Sequence, residues 1–148
     1  MAGPNQKTIT VLRIVLCTCA FGWGISAAGI FLPWNFISEQ LKNMGAINIP
    51  DDPMLNYWLR MTAGAFTFIG ILFLLPAWKP RKYFIMLRML ACFMVIEGLL
   101  LAGFGITLKC AITFCVDSAF CILTGCLIFT LHCKLRGDFA QVAAEGQE

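Results

Sequence analysis

The sequence predicts an all-α fold that crosses a lipid bilayer four times as an up-down-up-down bundle, and three observations lead there. Hydrophobic residues make up 59% of the 148 positions and charged residues only 13%, with a mean hydropathy of +0.80. Soluble domains carry about 45–50% apolar and about 25% charged residues. A chain this short cannot hide so much apolar surface from water, so the bilayer must take it. The apolar residues also gather into four runs, each near the roughly 20 helical residues needed to cross a hydrocarbon core. Finally, the later connections are short enough to force antiparallel neighbours.

The first span is expected over residues 9–32 and the second over residues 58–78. The third is expected over residues 83–107 and the fourth over residues 111–132, giving one membrane domain from 1 to 148. Only the basic turn Lys79-Pro80-Arg81-Lys82 separates the second and third spans, and only Leu108-Lys109-Cys110 the third and fourth. The loop at 33–56 has structure of its own. Trp34, Ile37, Leu41 and Met44 recur at three- and four-residue steps, Ser38, Glu39, Lys42 and Asn43 supply a polar side, and Gly45 follows as a stop signal. This predicts a short amphipathic helix on the membrane surface between spans 1 and 2. Asp52-Pro53 then reads as an N-cap and first helical residue, starting the second helix above the membrane. Ser26-x-Ala28 resembles a leader cleavage pattern, but the apolar run continues through Ile30, Phe31 and Leu32, so the first helix is expected to be a retained span. The polar segment 134–148, with Gly137 and Gly146, reads as a mobile tail.

Basic residues set the expected orientation. Lys7, Arg13, Lys79, Arg81, Lys82, Lys134 and Arg136 all fall on one side, whereas the loop at 33–56 holds Glu39, Asp51 and Asp52 against Lys42. Both termini are therefore expected in the cytoplasm, in a plasma (inner) membrane. Trp34, Tyr57 and Trp58 mark the outer interface, and Trp78 and Tyr83 the inner one. With the net charge of +3 spent on helix ends, no nucleic-acid patch is expected.

Eight cysteines suggest a disulfide framework only until their positions are read. Cys17, Cys19, Cys92, Cys115, Cys121 and Cys126 lie inside apolar runs, and the loop at 33–56 has none. They are expected to pack as small hydrophobes.

Ionisable groups inside a bilayer are costly and face a partner or a cavity. Glu97 and Asp117 qualify, at about 11 and 8 residues from the outer turn and thus about 17 and 13 Å deep. Arg60, near the outer end of the second span, is placed to pair with Asp117. Trp23 and Ser26 of the first span fall at similar height, so the candidate polar site is Arg60, Glu97, Asp117, Trp23 and Ser26. Thr113, Asp117, Cys121 and Gly125 step by four along the last helix and form a small, polar stripe expected to face the bundle. Two roles stay open: a proton- or ligand-responsive acid pair, or a structural pair in which Arg60 neutralises Asp117 and Glu97 bonds across helices. Arg13 and Arg88 are expected to snorkel to phosphates.

Small-x-x-x-small spacings, Gly24 to Ala28 and Gly98 to Ala102, suit close helix approach, either within the bundle or in a homo-oligomer or larger membrane complex. With one histidine, His132, neither bis-histidine haem nor a histidine-rich metal site is available, and no cofactor is expected. No Cys-x-x-Cys, phosphate loop or nucleophile elbow occurs. The chain lacks the loop cysteines of claudin-like proteins and the histidines of cytochrome b subunits. The leading expectation is a non-enzymatic subunit, scaffold or interaction partner in a membrane complex. The rivals are a small proton- or cation-coupled carrier or channel using Glu97 and Asp117, and a lipid- or quinone-binding membrane enzyme.

Overall fold

The computed structural model describes residues 6–108 and 113–145, with side chains described for 6–108 and 115–137. Every element among them is helical. Helix α1 (Gln6–Gly24) passes through a 3-10 turn (Ile25–Ala27) into α2 (Ala28–Phe31). A short α3 (Trp34–Asn43) follows, then the long helices α4 (Pro53–Trp78), α5 (Phe84–Thr107) and α6 (Thr113–Glu145). Four stretches, Gln6–Phe31, Pro53–Trp78, Phe84–Thr107 and Cys115–Gly137, are long and apolar enough to cross a membrane, the layout of a multi-pass membrane protein.

The helix ends follow from local chemistry. Leu32 turns extended, at φ −66° and ψ 143°, because Pro33 disfavours the helical conformation in the residue before it. Beyond it, α3 turns Trp34, Ile37 and Leu41 inward and leaves Asn35, Glu39 and Lys42 exposed. It stops where the pattern predicts. Gly45 takes a positive φ of 106°, its N–H donates to the Lys42 carbonyl at 2.9 Å, and the Ala46 N–H donates to the Leu41 carbonyl at 3.0 Å. That pair of bonds is a Schellman cap, which needs a residue free to adopt positive φ. At the next start, the Asp52 carboxylate accepts from the Met54 N–H at 2.8 Å, ahead of Pro53 in the first helical turn.

Packing is organised by one period. Buried or part-buried positions run Ile9, Leu12, Leu16, Cys19, Trp23 on α1 and Ala63, Phe66, Gly70, Phe73, Ala77 on α4. They run Leu87, Ala91, Met94, Gly98 on α5 and Ser118, Cys121, Gly125, Ile128, His132, Leu135 on α6. Steps of three and four alternate, an average of about 3.5 residues, which is the seam of left-handed bundle packing. Consecutive spans form the tightest pairs: α1 against α4, and α5 against α6, with α1 meeting α6 to join them.

Small residues allow the closest approaches. A side chain on Gly70 would lie 2.8 Å from the Gly24 nitrogen and 2.9 Å from the Ala20 oxygen; one on Gly98 would lie 2.6 Å from Ile122 Cγ1. The position of Gly98 is thus filled by contacts inside the chain, whereas Gly24 offers only its backbone to Gly70 and a side chain on it would meet nothing within 4 Å.

One expectation is corrected. The last helix does not give way to a tail at 134 but continues to Glu145. Leu135, 1% exposed, carries the seam onward, and Gly137 is tolerated within a helix at about 1 kcal/mol relative to alanine. Lys109, Cys110, Ala111 and Ile112, in the expected outer turn and fourth span, lie outside the described residues, as do the side chains of Thr113 and Phe114.

Candidate functional site

The half of the bundle nearest α3 holds the five residues singled out in the sequence, and the structure does not gather them into one pocket. Glu97 and Asp117 come closest to doing so. Ser118 Oγ donates to the Gly98 carbonyl at 2.8 Å across α5 and α6. The chain neighbours of these two residues, Glu97 and Asp117, are therefore level with each other. Both carboxyls lie within electrostatic reach of the buried Cys121 thiol. Neither makes a hydrogen bond or ion pair among the described residues. Glu97 is half-buried, whereas Asp117 is exposed on the outside of the bundle.

That exposure corrects the expected inward stripe of Thr113, Asp117, Cys121 and Gly125. Steps of four overshoot a helical turn by about 40° each, so such a row winds away from a seam of about 3.5 residues. Ser118 takes the inward place beside Cys121 and Gly125, and Asp117 is turned out.

Arg60 is not paired with Asp117. Its Nε donates to Asn56 Oδ1 at 2.9 Å, one turn back on α4. Its two terminal nitrogens donate to the backbone carbonyls of Ile30 and, at 3.0 Å, Leu32. Those carbonyls end the first span, where the last turn of any helix lacks intrahelical donors and carries partial negative charge. The guanidinium, with donors fanned in one plane, closes that end from a neighbouring helix. The clue in the sequence is Pro33: it fixes where the first span stops and hence which carbonyls are orphaned at the height of Arg60.

Trp23 fills core space instead of lining a cavity. Its ring meets Phe66 edge-on at 4.9 Å and Phe93 at 5.8 Å, and its Nε1 donates to the Met94 sulfur at 3.2 Å. It thereby ties α1 to both α4 and α5. Ser26 lies in the 3-10 turn, part-buried. Most other hydroxyls on the spans bond carbonyls of their own helix, as Thr67 does to Ala63 at 2.7 Å and Thr124 to Phe120 at 2.6 Å.

The opposite end holds a residue that the sequence marks only as a solitary histidine. His132 is 7% exposed. It stacks on Phe84 with ring centroids 4.2 Å apart, and its Nδ1 has no hydrogen-bond partner among the described residues. The signal for its burial is its register on α6: it falls between Ile128 and Leu135, both buried on the same seam. The seven described cysteines are free, and no cluster of three or more metal-ligating side chains occurs among the described residues. No family model, curated protein or solved structure matches this chain.

Proposed function

We propose that this chain is a non-enzymatic subunit or scaffold of a membrane assembly, seated with both termini in the cytoplasm. The observation carrying this reading is Asp117: a carboxylate exposed on the outer surface of the α5–α6 pair, on a helix otherwise apolar enough to span a membrane, with no partner among the described residues of its own chain. An acid presented outward at that height is suited to a basic or hydrogen-bonding side chain on a neighbouring helix. Three of the polar groups in the bundle are already engaged: Ser118 with Gly98, Trp23 with Met94, and Arg60 with the end of the first span.

Native-gel migration of the chain extracted from its own membranes in mild detergent tests the proposal. The expected result is a complex well above the 16.4 kDa chain, released to the free chain by Asp117→Leu and retained by Lys134→Gln. Migration as a single chain that Asp117→Leu leaves unchanged would overturn it.

The carrier reading keeps one specific support, the level placement of Glu97 and Asp117. It requires that Glu97→Gln abolish proton or cation flux in proteoliposomes. Equal flux in Glu97→Gln and the parent protein removes it.

A further inference from the structure

At the end of the bundle where α1 begins and α4 ends, a groove of about 450 Å³ runs between these two helices. Its walls are apolar, with Cys17 on one side and Ile71, Leu74 and Leu75 on the other. Its mouth is not: Arg13 and Trp78 stand there together, and the Lys79 ammonium lies 4.9 Å from the centre of the Trp78 ring. A second shallow depression, lined by Ile14, Thr18 and Phe21, flanks the same Arg13 on its far side. The Arg13 guanidinium is exposed and has no hydrogen-bond or ion-pair partner among the described residues.

We propose that this groove is a binding site for an acidic phospholipid, with the headgroup phosphate on Arg13 and Lys79 and one acyl chain lying along Cys17, Ile71 and Leu74. Three observations bear on it. Tryptophan settles at the headgroup level of a bilayer, so Trp78 puts its neighbour Arg13 at phosphate depth. A guanidinium offers a planar fork of donors that matches a phosphate with two hydrogen bonds. Finally, the local charge favours an anion. Of the ten lysines and arginines with described side chains, only Lys42 and Arg60 belong to the opposite half of the bundle. No aspartate or glutamate with a described side chain lies at the groove's end. A zwitterionic lipid would fit the apolar walls equally well, but its own ammonium would meet an already positive surface.

Native mass spectrometry of the purified full-length chain, incubated with an equimolar mixture of phosphatidylglycerol and phosphatidylcholine, reads the preference directly. The parent protein is expected to retain phosphatidylglycerol selectively, and Arg13→Gln to lose about five-fold of that preference, since one cation near a membrane surface contributes about 1 kcal/mol. Cys17→Phe, which fills the groove and keeps every charge, is expected to reduce retention of both lipids. Arg136→Gln, outside the groove, is expected to change neither. Unaltered selectivity in Arg13→Gln overturns the proposal, as does unaltered retention in Cys17→Phe. So does displacement of the bound lipid by millimolar inorganic phosphate, which would make the site one for the free anion.

Discussion

Replacing Gly70 with alanine adds one methyl group where α1 and α4 touch, and the geometry sets its effect. The new carbon would lie 2.8 Å from the Gly24 nitrogen, 2.9 Å from the Ala20 oxygen and 3.1 Å from the Gly24 Cα. Ordinary contact begins at 3.4 Å, so the two helices must separate by roughly 0.6 Å, because all three obstacles are backbone and none can rotate away. Overpacking of this kind costs about 1–3 kcal/mol. Alanine recovers about 1 kcal/mol through its better helix propensity. Gly64→Ala, on the same helix with nothing within 4 Å of the added carbon, gains the propensity without the clash. The informative quantity is therefore the difference between the two variants, about 1–3 kcal/mol, from which propensity cancels. Unfolding in mixed detergent micelles, followed by circular dichroism, measures it. A Gly70→Ala protein as stable as Gly64→Ala would refute the packing argument for the α1–α4 pair.

Other substitutions probe the polar contacts. Arg60→Met should remove charged hydrogen bonds to the Ile30 and Leu32 carbonyls and lower stability by about 1.5–3 kcal/mol, with faster amide exchange confined first to residues 28–36. Because Arg60 is engaged there and not with Asp117, the double variant with Asp117→Asn should be additive within about 0.5 kcal/mol; a larger coupling in a double-mutant cycle would restore the ion pair. Ser118→Ala should cost about 0.6 kcal/mol, the usual size of a hydrogen bond between membrane helices, and leave the fold intact by circular dichroism.

Much of this architecture is legible in the sequence because each cue is local. Pro33 fixes the end of the first span, Gly45 the end of α3, and Asp52-Pro53 the start of α4, with no knowledge of neighbours. What the sequence hides depends on rotation about a helix axis. The residues of α6 are small, apolar or polar all round, so the row through Asp117 and the row through Ser118 look equally able to face inward. Only the packing of α5, through Gly98 and Ala91, decides between them. The partners of Arg60 are hidden for a related reason. Side-chain acids are conspicuous in a sequence, whereas backbone carbonyls orphaned at a helix end are not, although for an arginine they are equally good acceptors. The extension of α6 to Glu145 is masked by the polarity of its last turns, although Ala140, Ala143 and Ala144 all favour helix.

The pairing of consecutive spans bears on how the molecule is assembled. Since α1 packs chiefly on α4 and α5 chiefly on α6, each intimate interface joins segments that leave the ribosome one after the other. The first hairpin can close before the second is synthesised, and neither must wait for a distant partner. The meeting of α1 with α6, a smaller contact of α4 with α5 and the reach of Trp23 to Phe93 and Met94 join early segments to late ones. A chain divided at the turn around Arg81 should therefore yield two hairpins able to recombine in one membrane, with Trp23 as the bolt between them.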